Sequence, residues 1–161
     1  MSNIQTLNLY IRASELEEDP IIANHFQQMW LDLDIPESAI RSDWLSQTTQ
    51  FLDSARRSLN YAAFVAEVDH RIIGSASCQQ FAGLYPNILT AEHRQYGYIW
   101  GVYVEPNYRR KGIAKQLTQA TINYLKSIGC THAILNASPM GKPVYEQLGF
   151  QAGNTMQLNL V

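Results

Sequence analysis

The sequence predicts an α/β (α+β) fold in one domain spanning residues 1–161. The expected sheet is mixed, mostly antiparallel, of six to seven strands flanked by about four helices. Three observations carry this. Short β-branched and aromatic runs alternate with amphipathic stretches of helical period. Two of the runs, Ala62–Val68 and residues 71–78, are separated only by Asp69-His70, a connection that fits an antiparallel hairpin. Apolar residues make up 46% of the chain and charged ones 16%, enough for a buried core and against disorder.

The elements follow in order. Residues 7–12 alternate apolar and polar with period two, as a half-buried strand does. Ser14 is a candidate N-cap, and Glu15, Glu17 and Glu18 suit the positive end of a helix. Pro20 fits the first turn, after which Ile22, Phe26, Met29, Trp30 and Leu33 line one face. Pro36 breaks the chain. A second helix is expected from about Glu37, with Ile40, Trp44, Thr48, Phe51, Leu52, Ala55 and Leu59 at helical spacing. After the hairpin, residues 81–95 hold Gly83, Pro86 and Asn87 without a period, and a loop of that length is commonly functional. Residues 98–104 form the next strand. Ile113, Leu117, Ala120, Tyr124 and Ile128 give a third helix its buried stripe, with Gly129 as C-cap. A short strand at 132–136, a helix at 139–148 ended by Gly149, and a closing strand at 155–161 complete the chain. It contains no internal repeats, low-complexity tracts or linkers.

Charge and cysteine usage narrow the function classes. A net charge of −2 argues against broad nucleic-acid binding, which needs a basic face to displace counterions. Cys78 and Cys130 are too few for a disulfide framework and lack metal-ligand spacing with the histidines, so no metal site is expected. Residues 1–9 lack the basic start and apolar core of a signal peptide, and no apolar run approaches the ~18 residues of a membrane span. A cytoplasmic protein is expected.

The most informative stretch runs from Trp100 to Ala114. An apolar strand closes at Pro106-Asn107, and Arg109, Arg110, Lys111 and Gly112 then open a helix beginning Ile113-Ala114. Unpaired N–H groups at a helix N-terminus point at an anion, the helix dipole favours it, and glycine lets the backbone approach closely. This is a layout for holding phosphate. It is not a P-loop, which needs Gly-Lys-Ser/Thr, nor a dinucleotide fingerprint, which needs Gly-x-Gly-x-x-Gly in the first βα unit.

Val102-Tyr103-Val104-Glu105-Pro106-Asn107-Tyr108-Arg109-Arg110-Lys111-Gly112-Ile113-Ala114, together with Val144-Tyr145-Glu146-Gln147-Leu148-Gly149-Phe150, resembles the two motifs of the GNAT superfamily of acyl-CoA-dependent N-acetyltransferases. The resemblance implies a GNAT-like fold. It also implies that the pyrophosphate of coenzyme A sits on backbone N–H groups of Arg109, Arg110, Lys111, Gly112, Ile113 and Ala114. Ala114 replaces a more frequent second glycine. The strand at Val102, Tyr103 and Val104 would meet the pantetheine arm through the backbone of Val102 and Val104, like an added strand. Tyr145 matches the family tyrosine beside the coenzyme sulfur, a proton donor to the departing thiolate; as a bare helix residue it could equally be a packing aromatic. Ser138 stands where the family often has an asparagine contacting pantetheine, and could also cap the last helix.

The implied activity is transfer of an acetyl group from acetyl-CoA to a primary amine of a small molecule, by direct attack in a ternary complex. A non-catalytic acyl-CoA-binding or sensing module, or acetylation of a protein N-terminus or lysine, stays open, as does a homodimer. No nucleic acid, membrane or metal takes part in this reading. Glu67, Glu92, His93 and Glu105 are conceivable general bases and Tyr98 could order a water wire, but no direct side-chain base is the reading adopted. The first two helices and the 81–95 loop would wall the acceptor site, with Phe26, Trp30, Trp44, Phe81 and Tyr85 as its aromatics.

Overall fold

Asp69 and His70 take positive φ angles of 48° and 63°, the backbone hand that a tight two-residue hairpin requires. They join β2 (Ala62–Val68) to an antiparallel β3 (Arg71–Gln80). In this computed structural model, which describes residues 8–161, β1 (Leu9–Ala13) pairs antiparallel with β2, and β4 (Tyr96–Val104) pairs antiparallel with β3. β5 (His132–Ile134) lies parallel to β4, and the order across the sheet is β1-β2-β3-β4-β5. Parallel neighbours need a long crossover, here supplied by α3 (Ile113–Ser127). Leu7, expected in the first strand, lies outside the described residues, as do residues 1–6 of the 1–9 stretch read for a signal peptide.

Helices cover both faces. α3 packs Ile113 and Leu117 on Ala66, Val68, Ala76 and Val104, and Leu125 on Cys78 and Ile99. On the other face α1 (Asp19–Asp32) and α2 (Trp44–Ser58) bring Ile22, Leu52 and Ala55 onto Tyr61 and Ala63. α4 (Lys142–Gln147) follows β5 and ends before Gly149, as expected. Among the described residues no helix is long and apolar enough to cross a membrane.

Several boundaries differ from expectation. Five strands form among the described residues, not six to seven. Residues 155–161 form no strand with any of the described residues, and Met156, Leu158 and Leu160 are largely exposed. Period-two alternation prescribes a conformation, but only a hydrogen-bonded neighbour makes it a strand. Ser14 does not cap α1: its N–H continues the sheet by donating to Ala63 O (2.9 Å). The chain turns instead through a 3-10 turn at Leu16–Glu18, where the Glu18 carboxylate accepts the Glu15 N–H at 2.7 Å. The second helix starts at Trp44 rather than near Glu37, because Ile40 sits in extended backbone after a single turn at Glu37–Ala39. On α1 the buried residues are Asp19, Ile22, Ala23 and His25; Trp30 and Leu33 are exposed, since the last turn borders a surface pocket.

Candidate active site

β4 and β5 fork. Their pairing runs Tyr96 with His132, Gly97 with Ala133 and Tyr98 with Ile134, and there it stops. At the fork, Asn136 Nδ2 donates to Tyr98 Oη at 2.9 Å. Above it β4 continues to Val104, and among the described residues no strand pairs with its β5 side. On its other side β4 carries a bulge opposite Ser75 and Ser77, where Gly101 takes a φ of 63°. The Glu105 N–H donates to Ile73 O at 2.8 Å. Strand alternation therefore turns the N–H and C=O groups of Val104 and Val102 away from β3, into the open side of the fork. Tyr103 is different. It pairs with Ser75 of β3, and its buried ring stacks on His25 of α1 at 5.0 Å.

The open side of β4 leads into the basic loop. After a 3-10 turn at Pro106–Tyr108, Arg110 (φ 61°) and Gly112 (φ 76°) both enter the left-handed region. Left-handed residues in such a turn make successive N–H groups converge on a concave anion site. The backbone N–H groups from Arg110 to Ala114 take no acceptor among the described residues, and the first engaged is that of Gln116, on Gly112 O at 3.1 Å. A Cβ added at Gly112 would meet nothing within 4 Å, so the space beside Gly112 is open. Ile113 is buried beneath it and Ala114 packs on the same core.

The three cations do not share a role. Arg109 Nε donates to Val104 O at 2.7 Å, its Nη2 reaches Asp32 Oδ2 at 2.5 Å, and its guanidinium lies 5.4 Å over the Tyr103 ring. It points back toward α1 and occupies one of the carbonyls expected to be open. Lys111 Nζ stands 5.6 Å over the Tyr108 ring, and Arg110 is exposed.

The last helix begins at Lys142, later than residue 139, because the chain first makes a turn held by Ser138. Ser138 Oγ accepts the Gly141 N–H at 3.1 Å, holding the turn before the helix; it does not cap the helix, whose N-cap position is Gly141, and its hydroxyl proton stays available. Tyr145 lies on this helix, half-buried, with its ring 6.0 Å from Phe150. Burial pushes its phenol above the ordinary value, so it holds its proton at neutral pH.

The candidate bases are dispersed. Glu67 is paired with Arg12 (2.8 Å) and Glu105 with Arg71 (2.7 Å), beside an open cleft of about 1070 Å³ at the far edge of α1. Glu92 and His93 are exposed on the 81–95 loop. Of the expected acceptor-wall aromatics, Phe26, Trp30 and Trp44 line a pocket of about 360 Å³ between α1 and α2, together with Ile35, Ile40 and Arg41. Phe81 instead packs against Tyr98 (6.0 Å), and Tyr85 against Arg94 (5.8 Å). Trp100, not singled out from the sequence, is the hub of this side. Its ring lies 5.0 Å from Phe26, 5.7 Å from Phe51 and 6.1 Å from Tyr61, and its Nε1 donates to Gln79 Oε1 at 3.1 Å. Its signal was positional: it shares strand parity with Tyr98 and faces the same helices. Among the described residues no group of three or more His, Cys, Asp or Glu side chains could hold a metal ion.

Comparison with known proteins adds the following. Residues 22–150 match the model of the Acetyltransferase (GNAT) family. A curated relative, the glucosamine 6-phosphate N-acetyltransferase of Trypanosoma brucei brucei, is 39% identical over 82 residues. That match covers 51% of this chain and 52% of the relative, so the chain spans about half the length of the curated relative it matches. Among solved structures, a predicted acetyltransferase from Clostridium acetobutylicum with acetyl-CoA superposes with a TM-score of 0.80 at 25% identity, covering 94% of this chain and 96% of that one. An acetyltransferase from Trypanosoma brucei gives a TM-score of 0.68 at 28% identity, covering 95% and 100%.

Proposed function

The chain belongs to the acetyltransferase (GNAT) family, and we propose that it transfers an acetyl group from acetyl-CoA to a primary amine of a small molecule. The observation that carries the reading is continuity: the unpaired side of β4 runs directly into the converging N–H groups at Arg110–Gly112. An extended amide arm ending in a pyrophosphate has that shape and that charge order. Val102 and the Val104 N–H offer the arm strand-like pairing, and the loop and the start of α3 offer the anion its N–H groups and dipole. The acetyltransferase from Clostridium acetobutylicum, bound to acetyl-CoA, supports the donor, and the name of the T. brucei brucei relative supports a small amine as acceptor.

On this reading a neutral amine attacks the thioester carbonyl in a ternary complex. A β4 N–H near Val102 stabilises the oxyanion. Tyr145, kept protonated by burial, gives its proton to the leaving thiolate, and the proton shed by the attacking nitrogen passes to solvent, which reprotonates the phenolate. The buried Cys78 and half-buried Cys130 remain thiols, which fits a cytoplasmic location. The test is a panel of amines with thiol release from acetyl-CoA as readout. An aminosugar or other small primary amine is expected to release coenzyme A. Tyr145→Phe should slow turnover by about 10²-fold or more with coenzyme A affinity unchanged. Full activity in Tyr145→Phe would remove it from the mechanism, and tight acetyl-CoA binding without turnover on any amine would favour a binding module.

A further inference from the structure

The last turn of α1 and the anion cradle are joined through one side chain. Arg109 immediately precedes Arg110, the first left-handed residue of the loop, so the direction in which Arg109 leaves the backbone helps fix the peptide that opens the cradle. Two of its contacts, Asp32 at 2.5 Å and the Tyr103 ring at 5.4 Å, lie on the α1 side, and the third is Val104 O at 2.7 Å. Tyr103 is in turn backed by His25 of α1 at 5.0 Å. Two neighbouring cations, Arg110 and Lys111, carry no comparable tether. Asp32 closes this arrangement from 77 residues away in the chain. It neutralises the guanidinium that would otherwise be drawn over the hollow, and it sets its plane against Val104 O.

We propose that Asp32 is a positioning residue for the anion cradle: acting through Arg109, it holds residues 109–112 in the shape whose N–H groups converge. Arg109 then serves as a clasp rather than as a phosphate ligand, and attraction for the anion comes from the backbone, the α3 dipole, Arg110 and Lys111. What the cradle binds rests on the coenzyme A reading above; the shape of the loop does not. Both side chains are partly exposed, 34% for Arg109 and 41% for Asp32, so the pair acts by orienting the loop more than by its strength as an ion pair.

The test is a double-mutant cycle of Asp32→Ala, Arg109→Ala and the double variant, read by two measurements. The first is amide hydrogen exchange of residues 109–114 without any ligand. The second is coenzyme A affinity by calorimetry. Asp32→Ala is expected to speed exchange in this loop alone and to weaken coenzyme A about fivefold. In the Arg109→Ala background the same substitution should add nothing, and Asp32→Glu should restore part of the loss. Unchanged loop exchange, tighter coenzyme A binding, or equal effects in both backgrounds would each overturn the proposal, as would faster exchange across the whole chain. If the unmodified protein bound no coenzyme A, the cofactor reading alone would fall, and the ligand-free exchange cycle would still decide the role of Asp32.

Discussion

Against α3 the sheet presents Ala66, Ala76, Cys78, Ile99 and Val104, buried and apolar. Against α1 and α2, the alternate residues of β3 are Ser75, Ser77 and Gln79, also buried, and each is hydrogen-bonded. Ser75 meets His25 (2.9 Å), Ser77 meets Tyr61 (2.9 Å) and Gln79 meets Trp100 (3.1 Å). The apolar face is held by volume, the polar face by direction. Close packing clamps the helix that carries the anion cradle, since interiors tolerate little displacement. The hydrogen-bonded face sets orientations of side chains beside the pocket between α1 and α2, and its helices leave that pocket open.

Substitutions can break this contrast. Leu117→Ala, at a fully buried position on the α3 face, should cost about 3 kcal/mol in urea unfolding, the usual result of a core cavity. Gly97→Ala should cost about 2 kcal/mol in the same assay, because its Cβ would come within 2.6 Å of the Leu125 side chain and force α3 outward. Ser75→Ala should cost less, about 1 kcal/mol, by removing the partner of His25 Nδ1. A loss at Ser75 as large as that at Leu117 would erase the distinction between the faces.

The smallest effect is a pH dependence confined to the polar face. Burial lowers the His25 pKa, so the unfolded chain takes up its proton first as pH falls. The stability that His25 contributes is full above its ordinary value of about 6.5 and is lost as pH drops below it. Unfolding measured from pH 7 to 5 should therefore show a slope that His25→Gln reduces. An unchanged slope in that variant would assign the acid sensitivity to other groups.

Much of this was legible in the chain. The hairpin at Asp69-His70, α3 with its Gly129 stop, and the loop at Arg109–Ala114 depend on residues close in sequence, and local chemistry fixes them. What was not legible depends on partners remote in sequence. The Arg109 side chain turns to Asp32, a partner remote in sequence. Tyr103 was grouped with its neighbours on β4, yet its pairing with Ser75 faces it away from the fork. Residues 155–161 were expected to close the sheet as a strand, but nothing within a segment specifies a neighbour. His25 and Ser75 were unremarkable alone, and only the crossing of α1 over β3 makes them a pair. Phe26, Trp30 and Trp44 were expected to wall one site, but that they share a pocket depends on the packing of α1, α2 and the segment between them.

The polar-to-apolar alternation of β3 also places Cys78 on the α3 face, with consequences at the bench. Cys78 is fully buried, its thiol contacts Ala62 O at 3.6 Å, and burial pushes its pKa up to about 12. Burial also raises that of Cys130. Thiol reagents attack the thiolate, so both side chains should titrate slowly with a disulfide chromophore near neutral pH. The folded protein then contributes almost no blank of its own, and colour that develops at low enzyme concentration reports the coenzyme. A fast stoichiometric burst before any amine is added would instead mark unfolded molecules, so the two cysteines double as an internal gauge of sample integrity.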